Sequence, residues 1–183
     1  MKFTLSDESR KVLLKTAREA VSAELEDRKP EYPEVPEELG FNSGCFVTLH
    51  RDGRLRGCIG NFRDDIKIDQ NVKEMAYQAA FSDPRFPSLE ADALPFIDFE
   101  ISVLSPMMPL NSVEDIHVGR DGLYVVKGHS RGVLLPQVAI EQGWDAETFL
   151  SQTCVKAGLS PDTWRNETIE LFRFEAVVFG END

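Results

Sequence analysis

The sequence predicts an α+β fold with a mainly antiparallel sheet flanked by helices. The pair Asp52-Gly53 joins two strand-like runs, and Asp-Gly is a strong short-range hairpin signal because both central positions of a type I′ turn need positive φ. Residues 96–104 alternate, with Ile97, Phe99, Ile101 and Val103 against Asp98, Glu100 and Ser102, as in an antiparallel sheet with one solvated face. Helical and strand-like stretches follow each other in mixed order, which argues against a doubly wound nucleotide fold. At 183 residues the chain fits one domain spanning 1–183, with room for a small subdomain. A domain of that size buries roughly 70% of the surface its unfolded chain exposes, enough for a core without staples.

The first element is a helix, with Ser6 as N-cap and Leu14, Ala17, Val21 and Leu25 as its apolar stripe, ending before Pro30. Glu31–Leu39 holds Pro33, Pro36 and four glutamates, and is expected to be an exposed, mobile connector. The hairpin strands are Gly44–His50 and Arg54–Gly60. A simple two-residue turn puts Leu49 opposite Arg56 and Val47 opposite Cys58, with His50 on the other face from Cys58. A second helix carries Ile68, Val72, Met75, Ala76 and Ala79, and stops in the proline-bounded loop 82–87. After the strand at 96–104 come a strand over Leu123–Lys127 and, past a turn at 128–132, another at 133–135. Short helices start at Pro136 and at Asp145. The last strand, Thr168–Phe179, changes phase near Phe172-Arg173, the expected position of a bulge.

Composition removes several classes of function. Hydrophobic residues make up 42% and charged residues 28%, ordinary for a globular chain rather than a disordered one. No apolar run approaches the ~18 residues of a membrane span, and the start turns acidic too early for a signal peptide, so a cytoplasmic protein is expected. Cys45, Cys58 and Cys154 are odd in number and widely spaced, which fits reduced thiols. His50, His117 and His129 are equally scattered; neither a metal site nor a cofactor is expected. Net charge is -12, the wrong sign for a protein that coats nucleic acid. Against that background Arg51, Arg54, Arg56 and Arg63 face only Asp52 between residues 51 and 63, a basic island suited to carboxylate or phosphate at Arg56. Arg51 and Arg54 are read first as solvating the hairpin tip.

That island contains Leu55-Arg56-Gly57-Cys58-Ile59-Gly60. Strand interiors avoid glycine, so Gly57 and Gly60 point to a close approach by a backbone, a ligand or a partner. Cys58 has two readings. It is a nucleophile or covalent acceptor activated by Arg56, or a small buried hydrophobe. Asp83 and Arg85 either contact substrate or fix their own loop. Gln137, at a helix start, either adds an amide to the same site or caps locally. Cys154 belongs to a helical stripe and to the core.

Leu-Arg-Gly-Cys-Ile-Gly is the signature hexapeptide of the AMMECR family, and the likeness runs from about residue 8 to 179. Gly44–Leu49, the Asp-Pro-Arg-Phe loop at 83–86, Ile101–Ser105, Leu134–Val138, Gln142-Gly143-Trp144 and Cys154–Leu159 resemble that family in order. Cys45 lies outside the signature and is given no role. The resemblance implies an α+β protein with a larger and a smaller subdomain and no settled activity. In bacteria it implies an association with a Memo-type protein and a radical SAM protein in some modification pathway. Two functions follow as expectations. One is binding or cysteine-dependent group transfer on an anionic small molecule or nucleotide, with Cys58 as catalytic residue and Arg56, Gly57, Gly60, Asp83, Arg85 and Gln137 lining the site. The other is a non-catalytic adaptor that presents the hexapeptide to a partner protein.

Overall fold

In the computed structural model, which describes residues 3–183, the chain forms two compact units. The larger comprises Phe3–Leu104 and Val177–Asp183; the smaller is Ser105–Ala176. The first two strands, the first and third, the fourth and seventh, the fifth and sixth, and the fifth and seventh pair antiparallel.

In the larger unit, α1 (Asp7–Leu25) starts at Ser6, whose hydroxyl accepts the Ser9 N–H as an N-cap should. Its stripe buries Leu13, Leu14, Ala17 and Val21. β1 (Cys45–Arg51) and β2 (Arg54–Asn61) form the predicted hairpin, with φ +52° at Asp52 and +71° at Gly53. α2 (Ile68–Phe81) buries Ile68, Val72, Met75, Ala76 and Ala79, the stripe that periodicity picks out. β3 (Ile97–Leu104) lies on the other side of β1, so the order is β2-β1-β3, followed by the C-terminal end of β7 (Glu170–Gly180). Cys45, Val47, Leu49, Phe99, Ile101 and Val103 face the two helices in one core. The alternation in β3 holds only to Ile101. Ser102 and Leu104 are buried as well, so that end of the strand is covered on both faces.

The connector is more firmly held than its composition suggests. Its backbone N–H at Glu31 bonds Glu19, Glu38 accepts from Ser6 and Ser9, and Leu39 at its end is fully buried in a short 3₁₀ turn. A buried apolar anchor and charge-assisted bonds at both ends tie down a segment that its prolines keep out of helix.

In the smaller unit, β5 (Asp121–Lys127) lies between β6 (Ser130–Leu134) and β7, and the two-residue β4 (Met108–Pro109) adds to β7. α3 (Pro136–Gln142) ends at Gly143 in the left-handed region, and α4 (Ala146–Lys156) is capped by Asp145. α5 is the single turn Thr163–Asn166. Leu123, Val125, Phe149, Leu150 and Cys154 form this unit's core. Pairing of β7 with β5 is even from Glu170 to Glu175, so the bulge expected at Phe172-Arg173 is absent. The change of phase has another origin within the smaller unit: Arg173 reaches the buried Asp121 at 3.6 Å, while Phe172 lies against Tyr124 and Phe174 is buried. No helix among the described residues is long and apolar enough to cross a membrane.

Candidate functional site

The hairpin turn has the expected length, since Arg51 pairs with Arg54 and His50 with Leu55. Beyond it the register slips by one, because β2 bulges at Arg56 and Leu49 pairs with Gly57 instead of Arg56. Every residue after the bulge therefore changes face relative to the simple register. Cys58 lies opposite Thr48, not Val47, and turns away from the core. His50 falls on that same face, contrary to expectation, two residues nearer the turn.

The two glycines explain the slip. A Cβ on Gly57 would stand 2.3 Å from the Ala79 carbonyl oxygen, so this glycine brings the backbone of β2 against the end of α2. A Cβ on Gly60 would meet the Phe46 ring at 2.3 Å and the Cys45 carbonyl at 2.6 Å. Both close approaches that the sequence implies are made, and the protein itself makes them. The space beside each glycine is filled by Ala79 and by Phe46.

β2 is the edge strand of its unit, and the 82–87 loop covers that edge at Cys58. The Cys58 N–H donates to Asp83 Oδ2 at 2.9 Å, and Arg85 Nη2 donates to the Cys58 carbonyl at 3.2 Å. A carboxylate and a guanidinium thus stand in for the neighbouring strand. The two also bind each other: Asp83 Oδ1 accepts from the Arg85 backbone N–H and Nε, both at 3.0 Å, and Oδ2 accepts from Nη2 at 2.7 Å. The Asp83 side chain is 2% exposed and that of Arg85 54%. Hydrogen bonds from the Arg85 guanidinium, and then from the Cys58 and Arg85 N–H groups, outweigh desolvation and hold the Asp83 carboxyl well below the usual carboxylate range. The same pairing raises Arg85.

The Cys58 thiol accepts a hydrogen bond from Thr48 Oγ1 at 3.2 Å. It is the half-buried cysteine of the chain; Cys45 and Cys154 are buried, and burial pushes the Cys45 thiol up to about 12 and raises that of Cys154 too. No hydrogen bond joins His50 to Cys58. Arg56 leans over the loop, donating from Nη2 to the Pro87 carbonyl at 2.7 Å, with its guanidinium 5.7 Å from the centre of the Phe86 ring. Arg85 is 5.6 Å from the same ring. Phe86 thus has a cation–π partner in each of two arginines, one from the hairpin and one from its own loop.

Cys58, Arg56, Gly57, Gly60, Asp83 and Arg85 therefore come together in the larger unit, while Gln137 belongs to the smaller one, exposed on the first turn of α3. Sequence reasoning missed Thr48, because its facing position depends on the bulge. It also gave Phe86 no part, although its place between prolines beside Arg85 was a usable signal. Among the described residues no three His, Cys, Asp or Glu side chains are grouped so as to hold a metal ion.

The tip of the hairpin is built differently. Arg51 and Arg54 face each other across the turn, both exposed. With Asp52, Leu55 and Arg56 they line a surface depression of about 520 Å³. Among the described residues, every other arginine except Arg131 lies within 4.0 Å of a carboxylate; Arg51, Arg54 and Arg56 do not.

A family model described as AMMECR1 matches residues 14–179. The chain is 44% identical to a protein of Methanothermobacter thermautotrophicus, over the whole of both. It is 41% identical to protein NEQ441 of Nanoarchaeum equitans, over 93% of this chain and 99% of that one. The crystal structure of uncharacterized protein PH0010 from Pyrococcus horikoshii has the same mixed fold, with a TM-score of 0.83 and 39% identity, over 98% of this chain and 94% of that one.

Proposed function

We propose for this chain, which belongs to the AMMECR1 family, the role of a recognition module that presents a rigid cationic hairpin to an anionic partner. The observation that carries the reading is the set of arginines at the tip. In a chain of net charge -12, Arg51, Arg54 and Arg56 lack the carboxylate neighbours that the other described arginines, Arg131 excepted, have. Exposed arginines without an ion-pair partner cost little, so the cluster is a surface left available to an outside anion, which the planar guanidinium forks would take as carboxylate or phosphate.

The hexapeptide supports the tip rather than forming a reaction chamber. Its glycines are packed against Ala79 and Phe46, and both backbone groups of Cys58 are held by Asp83 and Arg85. This favours the adaptor over group transfer at Cys58, and the Memo-type and radical SAM proteins implied by the resemblance are the first partners to try. The test is an amide-shift titration of the full chain with pyrophosphate and with hexaglutamate. Shifts concentrated at residues 51–56 are expected, and unchanged in Cys58→Ser; no shift there with either anion overturns the proposal.

One observation favours thiol chemistry as a second reading: Cys58 alone among the cysteines is exposed in part, with its sulfur hydrogen-bonded to Thr48. Alkylation rates of the three cysteines in the folded protein from pH 5 to 9 decide it. Rapid Cys58 modification with an inflection well below ~8.5 would revive catalysis.

A further inference from the structure

We infer that the partner at the hairpin tip is an acidic polypeptide segment that also carries apolar side chains, an inference that rests on the tip being a recognition surface. The depression is not lined by charge alone. Leu55, 43% exposed, lines it with Arg51, Arg54 and Arg56; outside that lining, Phe96, 59% exposed, lies with its ring centre 5.6 Å from the Arg51 guanidinium. A free phosphate has nothing to place against Leu55 or Phe96. A peptide with carboxylates on some side chains and a leucine or phenylalanine beside them uses both kinds of surface at once, and burying that apolar area contributes roughly 25 cal/mol per Å².

The charge outside the tip favours a short acidic segment over a polyanion. Arg51, Arg54 and Arg56 against Asp52 leave the depression cationic, but the chain as a whole is at -12. The attraction fades within a Debye length of about 8 Å at physiological salt. A longer nucleic-acid strand continues past that distance along a chain of net charge -12, which offers its further phosphates no net attraction. A segment with about four carboxylates spaced by apolar residues ends its charge close to where the arginines end. Its geometry also suits the arginines: the planar fork of Arg51 or Arg54 takes a carboxylate through two parallel hydrogen bonds. The volume of about 520 Å³ is room for a few side chains, not for a domain.

The experiment uses the full chain and fluorescence anisotropy with three labelled probes of comparable charge: Glu-Leu-Asp-Phe-Glu-Leu-Asp, hexaglutamate and a single-stranded hexanucleotide. The mixed peptide is expected to bind at least tenfold tighter than either of the others. Its affinity should fall at least tenfold in the R51E/R54E double variant and severalfold in Leu55→Ser. All three substituted positions are exposed, and thermal melts check that the variants are folded. If hexaglutamate or the oligonucleotide binds as tightly as the mixed peptide, and R51E/R54E abolishes binding, anion recognition stands and the acidic–apolar partner is overturned. If no probe binds, or binding survives R51E/R54E, the recognition surface itself falls.

Discussion

The root and the tip of one hairpin are built on opposite principles. At the root, from Gly57 to Gly60, the polar groups of Cys58 are all paired, the nearest carboxylate is clasped by an arginine, and the space a side chain would need is filled. At the tip, from Arg51 to Arg56, like charges face each other, leucine is exposed and no carboxylate answers the arginines. A rigid root costs the protein nothing in solubility and fixes where the tip points. A tip without ion pairs contributes little to folding and leaves the guanidinium donors of Arg51 and Arg54 for something else, while Arg56 is engaged in part by the Pro87 carbonyl. The hexapeptide signature, on this comparison, is the support of a surface.

The largest effect is expected at the root. Gly57→Val puts a side chain into the Ala79 carbonyl, backbone against backbone, with no flexible side chain to give way. The cost should be about 3 kcal/mol or more, which lowers the melting temperature of a domain this size by roughly 6–12 °C. Asp83→Ala comes next. It strips the Cys58 N–H and three donors of Arg85 of their acceptor, at a cost of about 2 kcal/mol, tempered because Arg85 is half exposed and can turn to water. Urea denaturation measures both, and a change within 0.5 kcal/mol in either variant would mean that the edge of β2 is not held as described.

The same clasp makes a pH prediction. The folded-state pKa of Asp83 is depressed, so its contribution is fully present above the unfolded value of about 3.9 and is lost as pH falls toward the folded one. Wild type should therefore exceed Asp83→Asn in stability at pH 7, and the gap should narrow below about pH 4. Denaturation midpoints of the two proteins between pH 7 and 2.5 test this; a gap that stays constant with pH would show that the carboxylate charge is not what holds the loop.

Much of this was legible in the sequence where the determinants are local. The Asp52-Gly53 turn, the Ser6 cap and the stripe of α2 each depend on a few adjacent residues, and each stands where periodicity and turn chemistry put it. Contacts at the root were also legible, since Cys58, Asp83 and Arg85 do meet. What the chain did not show was the bulge at Arg56. The register after the turn follows the close approach of β2 to Ala79, 22 positions beyond Gly57; Gly57 marks an approach but not which backbone makes it. One slipped residue moved Cys58 from the face of Val47 to that of Thr48. The phase change in β7 was visible, but its cause, an arginine that reaches the buried Asp121 on β5, belongs to tertiary pairing.

Smaller effects separate root from tip at the level of single side chains. Cys58→Ser should change stability by less than about 1 kcal/mol, because a hydroxyl can keep the bond to Thr48 and the site is only half buried. It should leave anion binding intact. Loss of binding with stability retained would move the function from the tip to the thiol.

The smallest expected change has the opposite sign from the rest. Arg51 and Arg54 are direct cross-strand partners, and like charges in that position repel. Arg54→Glu replaces the repulsion with a cross-strand ion pair beside the turn, and should raise stability by roughly 0.2–1 kcal/mol, the gain shrinking as salt rises. The same substitution should weaken binding of an acidic probe at least tenfold, because it removes one of the two forks and supplies the other with an internal carboxylate. A protein that becomes more stable as it loses its ligand is the expected behaviour of a surface kept unfavourable for binding, and it is the reverse of what any root substitution can do. Parallel melts and anisotropy titrations in low and high salt read both quantities. If Arg54→Glu lowers stability, the two arginines are already satisfied within the fold, and the contrast between root and tip disappears.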